Sequence, residues 1–323
     1  MINAWDCRSV FCAITRDEVP AEFRTVYDRL KRASGPPSFG LFIPMVPNRS
    51  FLNTHWAPPR LILLFPDSMA LLSLDTRSDL VITYELSRDE FLGFGLAEFL
   101  LERWLTIYHK DFPKGKKIHF PSTEKYYWEE MSRFLARWSR REEQDLVRLP
   151  HAGLPIQGLP VKFTDWLASH SEFGVANEYF FQPAMQPQGL HHESFPNLLF
   201  FITPHGLVAL QEHFPYNPRK LGIEMTFLPR ARVKSADWIE PANSKHAVIE
   251  ISVQGALART RMPWSVFAGL RPYALRWLRV INQAASPVMI REELEATELP
   301  GVGDLETESK TEASVVVDGY HVR

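Results

Sequence analysis

The sequence predicts a mainly β protein of the α+β class, built from two antiparallel barrels or sandwiches that are each preceded by a short helix and closed by a C-terminal helix. Three features lead to this prediction. A pattern of residues recurs after about 140 positions, short apolar runs lie between turn residues as in strands, and each copy ends on an amphipathic helical pattern. Because strands and helices do not alternate as in βαβ units, a parallel sheet with crossover helices is not expected.

An internal duplication accounts for the length of the chain. Four short patterns recur in the same order, at residues 19–23 and 159–163, 38–40 and 172–174, 58–68 and 196–206, and 118–122 and 260–264. Solenoid repeats span about 20 to 50 residues, so we interpret this longer repeat as two copies of one domain. The predicted division is a first copy with an N-terminal extension over 1–145, a linker over 146–158, a second copy over 159–286 and an acidic, largely disordered tail over 287–323.

Each copy opens with a short helix and continues in strands. Pro20 and Pro160 suit the first helical position, and the apolar residues that follow at helical spacing are Phe23, Val26, Tyr27 and Leu30, and Phe163, Trp166 and Leu167. Turns at 65–68 and 203–206 carry proline at their second position and predict hairpins. The predicted strands are 61–65, 70–74, 80–86, 104–108 and 117–120, and 198–202, 207–210, 223–228, 247–253 and 256–262.

An amphipathic helix is predicted at the end of each copy. In the first copy Ser122 is a suitable N-cap for a helix whose buried stripe runs over residues 127–138. In the second copy residues 266–270 are expected to form the first turns, and Pro272 to break or restart the helix. Residues 91–103 have no clear counterpart in the second copy, and we interpret them as a partly helical insertion.

One family resemblance rests on the second copy. Residues 199–210 contain a predicted strand, a Thr-led turn and a second strand, and residues 223–233 contain a further strand and a bend. This pattern, with a helix expected after Pro263, resembles the pleckstrin-homology-like (PH-like) fold of bacterial PH-like domains. The resemblance covers most of residues 160–285 and, through the repeat, residues 20–145. It implies binding without catalysis, because members of the family bind peptides, lipid headgroups or partner domains.

The chain departs from the lipid-binding members of that family at the first strand-to-strand loop. Those members carry a cluster of lysine and arginine there. Residues 46–51 and 183–188 of this chain contain a single base, Arg49. Phosphoinositide binding is therefore not predicted, and a protein or peptide partner is.

Composition and charge narrow the class of protein. Apolar residues make up 45% of the chain and charged residues 23%, as in ordinary globular proteins. The longest apolar runs, 61–65 and 198–202, are far shorter than the roughly 20 residues of a membrane-spanning helix, and the first residues do not resemble a secretion signal, so we expect a cytoplasmic protein. Two cysteines are too few for a disulfide scaffold. The net charge of −2 does not favour a nucleic-acid partner.

Basic side chains are the candidate binding residues, and we interpret them as one patch that attracts a protein or peptide partner or an anionic lipid. A solvated hairpin tip is the simpler alternative. The ten residues are Lys110, Lys114, Lys116, Lys117, Arg219, Lys220, Arg230, Arg232, Arg259 and Arg261. Aromatic residues 126–128 and Trp264 are further candidates for a contact, either between the two copies or with a partner.

The predicted function is a non-enzymatic binding or scaffold protein without a cofactor or metal. No catalytic glycine motif or zinc-binding His-Glu-x-x-His spacing is found in the sequence. The main alternative is a metal-dependent hydrolase, in which His191, His192 or His205 would meet Asp165 or Glu193. Stoichiometric zinc or iron in the purified protein would favour that enzyme. A peripheral adaptor for anionic membranes is a weaker alternative.

The acidic tail generates a testable hypothesis. From Ser286 onward the chain has nine acidic residues and three basic ones, which leaves the preceding part with a net charge of about +4. If the tail contacts the basic patch, it blocks that patch. Deleting residues 290–323 is then expected to raise the affinity for vesicles of anionic lipid, measured by sedimentation at low salt. An unchanged affinity would end this hypothesis.

Overall fold

Antiparallel strands make up most of the computed structural model. It describes residues 10–49, 54–75, 77–99, 102–121, 124–140, 159–170, 178–185, 195–213, 222–241 and 245–285. All of these belong to one compact unit, Met1–Ser286, and the predicted tail lies outside the described residues. The mainly β, α+β class predicted from the sequence is confirmed. Within the described ranges no helix is long and apolar enough to cross a membrane.

The first half of the chain contains ten described strands and two helices. Their bounds are β1 (Phe11–Cys12), α1 (Ala21–Ser34), β2 (Phe39–Ile43), β3 (Val46–Arg49), β4 (Thr54–Ala57), β5 (Arg60–Leu64), β6 (Ser68–Asp75), β7 (Leu80–Ser87), β8 (Phe91–Phe99), β9 (Glu102–His109), β10 (Phe112–Phe120) and α2 (Lys125–Trp138). A 3-10 turn, Arg88–Glu90, lies between β7 and β8.

The second half follows the same order. Its described elements are α3 (Val161–Ser169), β11 (Glu178–Gln182), β12 (Leu198–Thr203), β13 (Gly206–His213), β14 (Gly222–Pro229), β15 (Val233–Ile239), β16 (His246–Gln254), β17 (Arg259–Phe267) and α4 (Arg271–Ala285). A 3-10 turn, Arg230–Arg232, again separates the fourth strand from the fifth. In both halves an opening helix precedes four antiparallel strands, and three further strands and a closing helix follow the turn. The first half adds β1 and the hairpin of β3 and β4.

The two halves share one sheet. β8 of the first half pairs antiparallel with β14 of the second half, with Phe94 opposite Phe227. The seven strands lie in the order β10-β9-β8-β14-β13-β12-β11, between a sheet of β1-β2-β5-β6-β7 and a sheet of β15-β16-β17. Each of these sheets is open, so the closed barrels offered as one form of the predicted fold are not what the structure contains.

The shared sheet is buried on both faces. Phe94 and Leu96 of β8 contribute to a first core, which lies against the β1-β2-β5-β6-β7 sheet and α2. Leu92 of the same strand contributes to a second core, which lies against the β15-β16-β17 sheet and α4. A smaller third core fills the space between α1 and the outer face of the first sheet. Alternate residues of the shared strands therefore face two different cores.

Residues 91–103 were predicted as a partly helical insertion, and that prediction is wrong. Residues 91–99 form β8 and residues 102–103 begin β9, and residues 100–101 lie outside the described part. A strand with two buried faces is apolar along its whole length, and periodicity alone does not distinguish it from a buried helix. Gly93 has φ of +154°, and a Cβ there would lie 2.4 Å from the carbonyl oxygen of Phe227, so glycine is needed where β8 and β14 approach.

The closing helices differ in detail from the prediction. α2 begins at Lys125 with Glu124 before it, and Ser122 lies outside the described residues. In the second half Val266 and Phe267 belong to β17, followed by a 3-10 turn and then by α4 from Arg271. The predicted helical turns at 266–270 and the strand over 256–262 are therefore wrong in their boundaries. β17 contains Pro263, which an edge strand tolerates because its outward amide has no partner within the sheet.

The fourth repeated pattern is not equivalent in the two halves. Residues 118–120 end β10, whereas residues 260–263 lie near the start of β17. The third pattern is confirmed, because 65–68 and 203–206 both form tight hairpin turns. In the second turn the Thr203 hydroxyl accepts hydrogen bonds from the backbone N–H groups of His205 and Gly206, at 3.2 and 3.1 Å.

Three hydrogen bonds hold the closing helices on the sheets. The indole N–H of Trp138 in α2 donates to the carbonyl oxygen of Phe65, at 2.6 Å. In α4 the side-chain amide of Asn282 accepts from the N–H of Ala236 and donates to its carbonyl oxygen, at 2.8 and 3.0 Å. Asn282 thus gives hydrogen-bond partners to the N–H and the carbonyl oxygen of Ala236, which lies in the edge strand β15.

Candidate functional site

The basic residues of the first half do not share one surface. Lys116 and Lys117 are neighbours in β10, so their side chains leave opposite faces of the strand. The Lys116 ammonium lies 4.6 Å from the centre of the Tyr84 ring, and the Lys117 ammonium lies 4.8 Å from the centre of the Trp104 ring. Lys110 lies in the turn that joins β9 to β10, where its N–H donates to the Glu90 carbonyl oxygen at 3.3 Å.

The basic residues of the second half are also dispersed. The Arg232 guanidinium donates to the carbonyl oxygen of Arg88 at 2.9 Å and lies 3.9 Å from the carboxylate of Asp89, so it joins the 3-10 turns of the two halves. Arg230 is exposed. Arg259 donates to the hydroxyl of Ser252 on the neighbouring strand. Arg219 and Lys220 lie outside the described residues.

Two of the predicted residues, Lys114 and Arg261, meet at one groove. We call it the shared-sheet groove; it has a volume of about 640 Å³ and is open to solvent. Its lining residues are Tyr108, Pro113, Lys114, Gln211, Glu224, Thr226, Thr260, Arg261, Met262, Pro263 and Trp264. Of the predicted basic residues that the structure describes, these two line one groove, and one comes from each half.

The groove lies where the second core ends. Leu207 and Ala209 of β13 face the second core, and strand alternation places Gln211 further along the same face. Leu228 of β14 faces that core too, and the same alternation places Thr226 and Glu224 beyond it. The face of the shared sheet thus changes from apolar to polar along two neighbouring strands, and the polar residues form the floor of the groove.

Trp264 and Tyr108 supply the aromatic surface of the groove. The half-buried Trp264 packs edge-to-face on Phe200, with ring centres 5.3 Å apart. The phenol hydroxyl of Tyr108 is hydrogen-bonded to the side chain of Thr226. Burial, together with the negative charge of Glu224, raises the pKa of Tyr108 to about 12. The Tyr108 hydroxyl therefore keeps its proton at neutral pH and remains a hydrogen-bond donor.

The two sides of the groove are edge strands. β10 ends the shared sheet and β17 ends the three-stranded sheet. The N–H of Phe267 points away from β16 and donates to the side chain of Gln182 at 2.7 Å. Because the backbone direction alternates along a strand, the backbone nitrogens of Arg261 and Pro263 also point away from β16. Pro263 has no N–H, and the pairing of β10 with β9 is irregular between Phe112 and Lys116. Such interruptions disfavour the addition of another strand at either edge.

Lys114 and Arg261 differ in their electrostatic surroundings. The Arg261 guanidinium lies 3.1 Å from the Glu250 carboxylate on the neighbouring strand. For Lys114 the described residues supply no acidic partner within ion-pair distance. Among the described lining residues the charged groups are thus Lys114, the paired Arg261 and the carboxylate of Glu224.

The residues of the hydrolase alternative lie apart in the fold or outside the described part. His205 lies in the turn between β12 and β13, and Asp165 lies in α3. His191, His192 and Glu193 fall outside the described residues, so this alternative stays a prediction. Among the residues that the structure describes, no three of His, Cys, Asp and Glu cluster as metal ligands.

The aromatic candidates of α2 are mostly part of the first half itself. Trp128 is 1% exposed and belongs to the first core, and its indole N–H points at the carbonyl oxygen of Trp104 at 3.4 Å. Tyr126 is 64% exposed. Packing of Trp128 within the first half explains the apolar stripe of this helix, and only Tyr126 presents a large aromatic surface to solvent.

Tyr108, Glu224 and Thr226 were not recognised from the sequence as candidate residues. One signal was present for two of them, because Glu224 and Thr226 place polar groups at alternate positions of an otherwise apolar strand. Tyr108 carries no such signal, since its contact with Thr226 depends on the pairing of the two halves.

No protein-family model matches the chain, and no curated protein is similar to it in sequence.

The ionisation of Tyr108 gives a test of the groove. Below pH 10 the phenol is protonated in the folded and the unfolded protein alike; between about pH 10 and 12 only the unfolded state loses its proton, so the free energy of unfolding contributed by Tyr108 falls as the pH rises through this range. We expect the difference in phenolate absorbance between the wild type and Tyr108→Phe to appear near pH 12 in the folded protein and near pH 10 in urea. A step near pH 10 in both states would contradict the buried position of Tyr108.

Proposed function

We propose that the chain is a non-enzymatic binding protein made of two PH-like modules, and that the shared-sheet groove recognises an extended segment of a protein partner. The observation that carries the proposal is the groove itself. It combines a volume sufficient for several side chains, an apolar wall at Met262 and Trp264, and the ammonium of Lys114. Ligand sites typically combine apolar walls with a few polar groups that fix orientation.

The repeated order of elements supports the assignment to PH-like modules. Four antiparallel strands, a 3-10 turn, three further strands and a closing helix occur once in each half. The Thr203-led turn and the bend at Arg230–Arg232 occur at the positions that the sequence resemblance indicated. A family that binds peptides and partner domains on a rigid sheet scaffold fits a groove that contains no catalytic constellation among its lining residues.

The groove chemistry defines the partner segment. Lys114 favours an acidic side chain, and the half-buried Trp264 with Met262 favours an apolar or aromatic one. Because both edge strands are interrupted, affinity would come from these side-chain contacts and not from a continuous row of backbone hydrogen bonds. We therefore expect short linear segments in which an acidic residue lies close to an apolar residue.

Selection of peptides from a random library on the full chain tests this function. We expect the enriched peptides to combine acidic and apolar residues. Two groove variants, Lys114→Glu and Pro263→Arg, are expected to weaken their binding about tenfold or more, which corresponds to roughly 1.4 kcal/mol. Fluorescence anisotropy of labelled peptides provides the measurement.

Lys110→Glu is the matched control for this experiment, because Lys110 lies in the same β9–β10 hairpin but does not line the groove. Its peptide affinity should equal that of the wild type. If all three variants bind the selected peptides as tightly as the wild type does, or if no peptide is enriched, the groove is not the recognition site. Binding to anionic vesicles that is lost at high salt would instead favour the membrane adaptor.

A further inference from the structure

A second cavity lies in the first half, between the β5-β6-β7 strands and β10. We call it the first-half cavity; it has a volume of about 190 Å³. Its polar lining consists of Arg60, Ser73, Tyr84 and Lys116. Two of these four side chains are cationic and none is acidic. The cavity is separate from the shared-sheet groove, since no residue lines both.

Strand alternation explains why the two cations converge. Ile62 and Leu64 of β5 face the first core, as do Ile118 and Phe120 of β10. Arg60 and Lys116 occupy the next positions on the same faces, two residues before Ile62 and Ile118. The interior of the first half is thus apolar up to this end of the strands, where a guanidinium and an ammonium replace the aliphatic side chains.

The Arg60 guanidinium lacks a counter-ion in the part of the chain that the structure describes. Its Nη1 is inaccessible to solvent, and the described residues supply neither a hydrogen-bond acceptor for that atom nor a carboxylate within ion-pair distance of the side chain. Burial lowers the pKa of Arg60, yet an arginine side chain stays charged in proteins. A partly buried cation without a partner is unfavourable, and an anionic ligand would remove that penalty.

Neighbouring groups keep the cavity positive. Lys116 is held by the aromatic rings of Tyr84 and Phe112, with its ammonium 4.6 and 5.4 Å from their centres, which orients the charge without neutralising it. Burial, with the charges of Arg60 and Lys117, lowers the pKa of His119 to about 4, so this imidazole is neutral at pH 7 and does not compete for an anion.

The equivalent corner of the second half has a different chemistry. When positions are counted from the first residue of each strand, Ser73 of β6 corresponds to Gln211 of β13, and Tyr84 of β7 corresponds to Thr226 of β14. Gln211 and Thr226 both line the shared-sheet groove. In the same count Arg60 corresponds to Leu198, and Ile82 to Glu224. The repeated order of strands therefore presents a hollow at the same corner twice. The first contains a guanidinium without a counter-ion among the described residues, and the second contains a carboxylate.

We propose that the first-half cavity binds an oxyanion, the phosphate or carboxylate group of a small molecule or a lipid headgroup, through Arg60 and Lys116. A guanidinium donates two parallel hydrogen bonds to such a group. The Ser73 hydroxyl lines the same cavity as a further donor. The volume of about 190 Å³ is less than a third of that of the shared-sheet groove, which suits a single oxyanion group.

Thermal unfolding and calorimetry of the full chain with inorganic phosphate, and separately with acetate, test the proposal at low ionic strength. At least one of the two anions is expected to raise the melting temperature of the wild type, because a ligand that binds only the folded state stabilises it. Arg60→Gln and Lys116→Gln are expected to weaken that binding at least tenfold, and Arg60→Lys to weaken it less. Without ligand, Arg60→Gln should melt no lower than the wild type, because it removes a desolvated charge.

Lys117→Gln is the matched control, because Lys117 is the neighbour of Lys116 but points to Trp104 on the opposite face of β10. Its anion affinity should be that of the wild type. Equal anion effects in the wild type and in Arg60→Gln, or no effect of either anion, would overturn the proposal.

Co-sedimentation with phosphatidylcholine vesicles, with and without phosphatidic acid, identifies the source of the anion. Sedimentation that depends on phosphatidic acid and on Arg60 supports a lipid headgroup, and anion binding without sedimentation supports a soluble ligand. The peptide experiment uses variants of the shared-sheet groove, so either proposal can be contradicted without contradicting the other.

Discussion

The pairing of β8 with β14 is the constraint on which the rest of the structure depends. It joins the last three strands of the first half to the first four strands of the second half in one sheet. Because that sheet is buried on both faces, it supplies one wall of the first core and one wall of the second. The same pairing brings Tyr108 of the first half against Thr226 of the second and so creates the floor of the shared-sheet groove.

The repeated order of strands in the two halves accounts for the two hollows. Equivalent strands place equivalent positions at the same corner of each half, and alternation determines which side chains enter it. In the first half these side chains include Arg60, which has no acidic neighbour in the described part of the chain. In the second half they include Glu224, and Lys114 reaches the same hollow from the other half. One fold thus offers a small cationic cavity and a wider groove of mixed character.

Local patterns in the sequence predicted the opening helices, the two proline-containing hairpins, five of the ten described strands of the first half and five of the seven of the second. The patterns failed where tertiary structure decided the outcome. β8 is apolar throughout because it faces two cores, so it resembled a buried helix. The predicted bounds of β17 were shifted because the apolar residues after Pro263 were assigned to the closing helix. Lys114 and Arg261 were predicted as binding residues, but Tyr108 and Glu224 were not, because the pairing that unites them leaves no local signal. Arg60 was missed, although a lone base on the core-facing side of an apolar strand is a signal that can be searched for.

Disulfide cross-linking across the β8–β14 pair tests the shared sheet most directly. Ala97 and Glu224 are opposite each other in this pair, and directly opposed Cα atoms lie about 4.5 to 5.5 Å apart, within the range of a disulfide. With Cys7 and Cys12 replaced by serine, the account predicts that Ala97→Cys with Glu224→Cys forms an intramolecular disulfide under mild oxidation. Ala97→Cys with Gln211→Cys, one strand further away, should not form one. No cross-link in the first pair, or equal cross-linking in both pairs, would contradict the account.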